Sequence, residues 1–409
     1  MKENENNVSR RDFVKTLGAV GVGSLVGAGQ GFAQSNAPAT PTAASQVIVP
    51  AKVPTRQFGH TGVPVSMLAL GGIFDIVSNQ LVLKQALDWG VTYWDTAAGY
   101  NGGKSEGGIG MFLEKNPQAR KDIFLVTKHD GGEMTDALNQ SLEKLKTDYV
   151  DMYFLHGIGN TNRLNDDLKA WVEKAKADKK IRFFGFSTHS NMENCLQEAA
   201  KLGWVDGIML KYDFSIMQTD AMKSAVDAAT KAGIGLTAMK TQSKSPIATE
   251  TEADLKMGGH FIQRGFTQQQ AKLKAIWENP LIGTICSQMP NLTVLHSNIA
   301  AALDKTSLTA ADHAALREYA EATQSSRCAG CTRLCEAALN NQVPVGDVMR
   351  ALMYHRSYGD RELARRAFGQ LSETARRGLA GFDYAAAEQA CPHGLPIMQL
   401  MREAVELFA

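Results

Sequence analysis

Residues 93–156 open with YWDTAAGY (93–100), pass through FLVTKH (124–129) and close on YFLH (153–156). Each segment is a run of β-branched, aromatic or leucine residues followed by a side chain that can carry a charge or a proton. Such runs read as buried strands. The pattern continues in both directions. Strands are expected at 65–70, 92–94, 123–127, 150–155, 182–186, 207–210, 235–238 and 281–286. Helical periodicity falls between them, near 79–89, 105–113, 134–145, 164–176, 192–202, 219–232, 268–278 and 292–302. Regular strand–helix alternation implies a parallel sheet with helical crossovers. Eight units over 56–306 fit an α/β fold of the closed (β/α)8 TIM-barrel type. An open doubly wound sheet is the structural rival. It would place G-x-G-x-x-G after the first strand, where Ala69-Leu70-Gly71-Gly72 stands instead.

In such a barrel the C-terminal strand ends converge on one mouth. Asp95, Lys128 and His156 end three successive strands, and Tyr100 lies on the loop after the first of them. A tyrosine hydroxyl, with a reference pKa of about 10, is a weak acid at neutral pH. A nearby lysine ammonium is expected to lower it, and an aspartate to hold the lysine in place. A histidine opposite can hydrogen-bond a carbonyl oxygen. Such a set protonates a carbonyl as a hydride reaches its carbon, or runs the reverse.

The 409 residues carry a formal net charge of +1, which gives no nucleic-acid footprint. Beyond the N-terminus no apolar run reaches transmembrane length. Residues 1–33 read as an export signal. Ser9-Arg10-Arg11-Asp12-Phe13-Val14-Lys15 resembles the twin-arginine pattern, followed by a weakly apolar stretch and a small-x-small cleavage site at Gly31-Phe32-Ala33. This predicts a periplasmic or otherwise exported protein, with the twin-arginine translocase as a partner. Residues 34–55 read as a linker. The long connection 239–266 is expected as a loop on the active face, either a candidate lid or a mobile insertion without a role. From 307 to 409 the strands stop and helices are expected, near 310–324, 346–354, 361–369 and 397–408.

The segments Asp95-Thr96-Ala97 with Tyr100, Lys128 and His156 resemble the aldo/keto reductase superfamily. GHTGVPVSMLALGG (59–72), SLEKLKTDYVDMYFLHG (141–157) and KKIRFFGFSTHSN (179–191) resemble it too. The resemblance spans about residues 56–305. It implies interconversion of a small carbonyl compound and its alcohol, with NADP(H) or NAD(H) as hydride source. Tyr100 would be the proton donor, Lys128 and Asp95 would tune it, and His156 would orient the carbonyl. Cofactor contacts are implied at Ser187, Thr188, Ser287, Asn291 and Asn298. The match is partial. Thr188 stands where the family commonly has Asn, Met209 where it has Gln, and 287–291 holds no Arg or Lys. A catalytically altered redox-sensing or binding protein on the same barrel is the other functional class.

The C-terminal segment has Cys328-x2-Cys331-x3-Cys335 and, far away, Cys391-Pro392. It resembles the small, mostly helical ferredoxin-like extension of some aldo/keto reductases, which carries two C-x2-C-x2-C-x3-C-P runs. In that arrangement the fourth cysteine of each run ligates the other cluster. Cluster one therefore needs Cys328, Cys331, Cys335 and Cys391, all present. Cluster two would need positions 339, 381, 384 and 387, which hold Leu, Gly, Tyr and Ala. The resemblance thus implies one 4Fe-4S cluster and an electron-transfer partner. Zinc, two disulfides and a relic without metal remain rivals. Cys195 and Cys286 are expected to be core thiols.

Overall fold

The computed structural model describes residues 51–242 and 251–409. The twin-arginine stretch and nearly all of the linker lie outside the described residues. The described chain starts beneath a barrel. Strands β1 (Thr55–Gln57) and β2 (Pro64–Ser66) form an antiparallel hairpin. Eight parallel strands then close on themselves: β3 (Leu68–Gly71), β4 (Tyr93–Asp95), β5 (Phe124–His129), β6 (Val150–Leu155), β7 (Ile181–Thr188), β8 (Gly207–Lys211), β9 (Gly235–Met239) and β10 (Thr284–Gln288), with β10 pairing β3. The TIM-barrel expectation is met.

Around the strands run α1 (Gln80–Asp88), α2 (Lys104–Lys115), α3 (Met134–Leu145), α4 (Asp166–Ala177), α5 (Met192–Ala199), α6 (Asp220–Lys231), α7 (Glu252–Gln263), α8 (Gln268–Trp277) and α9 (Leu292–Leu303). Helix α6 shows why these segments are helical. Thr219 caps it by accepting from the Met222 N–H, and Met222, Ala225, Val226 and Ala229 form one buried stripe.

Strand alternation sorts side chains into two layers. Tyr93, Phe124, Val126, Met152, Phe154 and Met209 fill the barrel interior. Their out-of-phase neighbours, such as Trp94, Leu125, Tyr153 and Leu155, pack against the helices. Phe58, from the turn of the hairpin, plugs the floor. Its ring lies 5.7 Å from Phe124 and 6.1 Å from Tyr93. The ring fits because Gly207 and Gly235 open their strands there. A Cβ would meet it at 3.0 Å from Gly207 and 2.5 Å from Gly235.

Two expectations change. The run 65–70 is not one strand. It breaks at Met67, because the Ser66 hydroxyl turns back to donate to Leu68 O and accept from the Thr92 and Tyr93 N–H groups. The connection 239–266 is not all loop. Residues 243–250 lie outside the described residues. Helix α7, however, has a capping box at Thr251 and Asp254 and buries Met257 and Phe261. This half is a capped helix packed on the barrel.

Helix α10 (Ala310–Ala322) packs on α7, and its Leu316 joins the outer barrel core. The chain continues through α11 (Thr332–Ala338), α12 (Val345–Tyr358), α13 (Arg361–Gly369), α14 (Glu373–Gly378), α15 (Ala385–Ala390) and α16 (Ile397–Phe408). These surround a separate apolar core that includes Val348, Leu352, Phe368, Leu379 and Leu400.

Replacing the floor plug tests the barrel packing. Phe58→Ala is expected to lower stability by about 3–5 kcal/mol in urea denaturation, while Leu81→Ala, at an exposed position, should leave the midpoint nearly unchanged.

Candidate active site at the barrel mouth

Ladder register decides which side chains reach the mouth. Asp95 is opposite Val126, and Lys128 is opposite Phe154. Val126 and Phe154 belong to the interior layer, so Asp95 and Lys128 point inward at the C-terminal end. The Lys128 ammonium donates to Asp95 Oδ1 at 2.6 Å and to Thr96 O at 2.8 Å. It also lies 4.7 Å from the Tyr100 ring centre. Tyr100 opens a 3-10 turn through Asn101, at φ 52°. The His156 ring meets Tyr100 edge-on, with centroids 5.4 Å apart. All four predicted residues come together.

One member was not foreseen. Asp130, on the loop after β5, holds His156 Nδ1 with one carboxylate oxygen and the Gly99 N–H with the other. Asp130 thereby fixes both the histidine and the loop that carries Tyr100. Its signal in the sequence was slight: an acidic residue two places past Lys128. A second correction concerns Cys286. It is no core thiol but stands at the mouth, its Sγ donating to Asp95 Oδ2 at 3.7 Å. Cys195 is buried on α5, and burial pushes its thiol up to about 11.

Burial sets the electrostatics. It raises the Asp95 carboxyl above its ordinary value, although the charge and hydrogen bond of Lys128 pull the other way. Tyr100 departs from expectation. Burial first, then the negative charge of Asp95, pushes its phenol well above 10. The lysine does not prevail, because Asp95 answers its charge at short range. Tyr100 is therefore held protonated, as a donor must be.

The implied cofactor contacts divide. Ser287 and Asn298 line a cleft of about 430 Å³ beside the ends of β9 and β10, together with Lys240, Gln288, Thr293 and Tyr358. Asn298 Nδ2 donates to Ser287 Oγ at 3.0 Å. Asn291 is spent on capping α9, accepting from the Val294 N–H. Ser187 shares the inward phase of Met209 and accepts from the Gly157 N–H at 2.9 Å. Thr188 is out of phase, and its hydroxyl donates to Ser190 O at 2.8 Å. The following residue, His189, lies close enough to His156 and Lys240 to be affected by both charges. Lys240, absent from the sequence reading, supplies a cation beside the cleft that 287–291 lacks.

The C-terminal helices lie across this mouth. Arg366 donates to Gly99 O at 3.0 Å, Lys240 to the Tyr358 hydroxyl at 3.0 Å, and Asn191 N–H to Gly330 O at 2.7 Å. Lys211 donates to Cys328 O. Beyond them Cys328, Cys331, Cys335 and Cys391 all line one small cavity, with Val345, Met349 and Leu395. All four are free thiols. Among the described residues no three His, Cys, Asp or Glu side chains are placed to hold a single metal ion. Three of the four positions implied for a second cluster, Leu339, Tyr384 and Ala387, are buried in the apolar core of this region. Tyr384 donates to Leu379 O at 2.7 Å.

The carboxyl of Asp130 carries a pH signature. Burial would raise it, but the hydrogen bond and charge of His156, the Gly99 N–H and Lys128 outweigh that, and it sits below its ordinary 3.8. A depressed carboxyl contributes stability that is complete above the unfolded-state pKa and is lost as pH falls through the folded-state one. Asp130→Asn should therefore cost stability at neutral pH and lose less than the wild type between about pH 5 and pH 2, read by urea midpoints across that range.

Comparison with known proteins agrees with the barrel. The aldo/keto reductase family model matches residues 73–320. The chain is 30% identical over 181 residues to the aldo-keto reductase yakc of Schizosaccharomyces pombe, named for NADP(+), covering 39% of this chain and 52% of that protein. It is 33% identical over 150 residues to the glyoxal reductase of Bacillus subtilis, covering 34% of this chain and 52% of that protein. The chain thus spans about half the length of the curated relatives it matches. In fold it resembles an aldo-keto reductase of Klebsiella pneumoniae in complex with NADPH, with a TM-score of 0.53 and 24% identity over 65% of this chain and 95% of that one. An aldo-keto reductase of Bacillus halodurans gives a TM-score of 0.54 at 22% identity over 65% and 96%. With more than half of its length matched by the family model, the chain belongs to the aldo/keto reductase family.

Proposed function

We propose that this protein is an oxidoreductase that interconverts a carbonyl and an alcohol, with Tyr100 passing the proton. The observation that carries the reading is the buried Lys128–Asp95 pair beside Tyr100, with His156 edge-on to the phenol. In the reducing direction His156 hydrogen-bonds the carbonyl oxygen and Tyr100 gives it a proton. Lys128 and Asp95 keep the donor in place and answer the charge left on its oxygen. In the reverse direction the same phenolate takes the proton back.

The residues beside the mouth fit a nicotinamide dinucleotide. The cleft is of suitable size, it is lined by the Ser287–Asn298 pair, the first turn of α9 (Thr293) opens onto it, and Lys240 places a cation at its edge. When bound, this group supplies or accepts the hydride. The named NADP(+) relative and the NADPH-bound Klebsiella protein support the assignment.

Cys328, Cys331, Cys335 and Cys391 would hold one 4Fe-4S cluster, which would store a single electron for exchange with a partner. Four thiols around one apolar cavity, without a carboxylate among its lining, are a donor set of that kind. A single zinc ion would hold sulfurs about 3.8 Å apart, from a Zn–S distance near 2.3 Å. Among the described residues no such arrangement is found. The N-terminal Ser9–Lys15 motif supports export by the twin-arginine route, which carries folded proteins. A redox-sensing or binding protein on the same barrel stays the second reading, because Tyr100 is only 8% exposed beneath the C-terminal helices.

Two measurements test this. Tyr100→Phe should reduce carbonyl turnover by roughly 10²–10⁴-fold while NADPH fluorescence titrations stay as in the wild type. Turnover that survives the substitution would remove Tyr100 from its role. Protein purified without oxygen should show a broad visible absorption that dithionite bleaches, and Cys391→Ala should lose it. A colourless zinc-containing sample would refute the cluster.

A further inference from the structure

Helix α12 brings new chemistry to the mouth. Arg350 projects from its middle toward the loop after β6. Its Nη1 lies 3.5 Å from where a Cβ on Gly157 would stand, one residue past His156. Tyr354, one turn further along α12, is buried and presents its ring face to the Lys240 ammonium at 4.9 Å. That ammonium is 3.0 Å from the Tyr358 hydroxyl and 4.5 Å from its ring. His189 faces the same space, and its Nδ1 is buried with no hydrogen-bond partner. Arg350, Lys240, His156 and Lys211 all act electrostatically on His189.

The carboxylates nearby do not balance these cations. Asp95 is taken by Lys128 and Asp130 by His156. Arg350 pairs with Asp347 at 3.0 Å, one helical turn back, but that carboxylate is 47% exposed. A half-solvated i, i+3 pair is weak and exchanges readily. Among the described residues no carboxylate pairs with Lys240. Among the described residues this half-buried ammonium is held by a phenol and two ring faces, without the carboxylate that such a site normally has. Burial and the neighbouring positive charges accordingly lower its proton affinity.

We propose that Arg350 and Lys240 form an anion anchor, so that the substrate is a carbonyl compound bearing a carboxylate. This deepens the reductase reading and rests on it. The carbonyl would sit on Tyr100 and His156, and the carboxylate would bridge toward Arg350, whose planar fork suits it. Lys240 also borders the cleft, so a cofactor phosphate is the competing source of negative charge there. Arg350 is not among the residues lining that cleft, and it therefore distinguishes the two. On this account the helical region determines specificity for the barrel.

Pyruvate and 4-carboxybenzaldehyde, each against its methyl ester, test the anchor on the full chain with NADPH. The acid should show a KM roughly ten- to a hundredfold below that of the ester. That ratio should fall toward one in Arg350→Met and recover in part in Arg350→Lys. A calorimetric titration with oxamate, a carboxylate that cannot be reduced, reads the site without turnover, and its binding should be lost in Arg350→Met. Turnover of esters without any preference for acids would overturn the anchor and leave the reductase intact. Oxamate binding that depends on Arg350, with no turnover of any probe, would support the anchor and overturn the reductase. If Arg350→Met instead weakens NADPH binding and leaves the acid-to-ester ratio unchanged, the anion is the cofactor's and the proposal fails.

Discussion

The Lys128 ammonium is the constraint around which the mouth is arranged. Placing an ion where water does not reach costs several kcal/mol, and the cost is offset only by good partners. Lys128 has them in the Asp95 carboxylate and Thr96 O. Both partners come from the neighbouring strand end, so the offset depends on the register between β4 and β5. A slip of one residue would turn either side chain toward the helices and strand the charge. Phe58, Tyr93 and Phe124 below, packed to contact, help hold that register. The floor of the barrel thus acts on the chemistry at its other end.

The second constraint is the cover. Helices α12 and α13 lie over the strand ends and shield Tyr100 from solvent. Shielding raises the phenol's proton affinity, and the nearby Asp95 charge raises it further. Lys128 could reverse this only if it were unpaired, and it is not. The donor form is therefore the resting form. Water exclusion strengthens every interaction around it. The same cover joins the mouth to the cysteine cavity through Lys211 and Cys328 O, so the two share one wall.

Much of this was legible in the sequence, for identifiable reasons. Strand–helix alternation is a local pattern and marks all eight strands of the barrel. The tetrad was legible because three members end strands, where topology alone sets their direction. Thr188 and Asn291 take partners that resemblance does not foresee, because it gives positions, not phase: one hydroxyl donates to Ser190 O, and one amide oxygen caps a helix. Cys286 was read as core because its run is apolar, yet it occupies the inward phase at the strand end. The closure of the mouth was not legible at all. Lys240 meets Tyr358 across 118 residues, and Arg366 meets Gly99 across 267. No local period encodes such contacts.

The positions that a second cluster would need show what holds the helical region together. Leu339, Tyr384 and Ala387 do not leave a hole there. They are buried with Leu379 and Phe368, and the Tyr384 hydroxyl is satisfied by a backbone carbonyl. Filling that volume with apolar side chains stabilises the region without a metal at that place, since burial contributes roughly 25 cal/mol per Å². Of the other four cysteines, Cys328, Cys335 and Cys391 pack at the edge of that core, yet all four line a cavity. They stay turned toward one cavity on the side that touches the barrel through Cys328 and Gly330. Packing alone would not require four thiols there. It would require an intact core, and that core already exists around α12 and α16. The cysteine cavity and the cationic mouth therefore ask for a chemical explanation, whereas the core between α12, α13 and α16 asks only for a hydrophobic one.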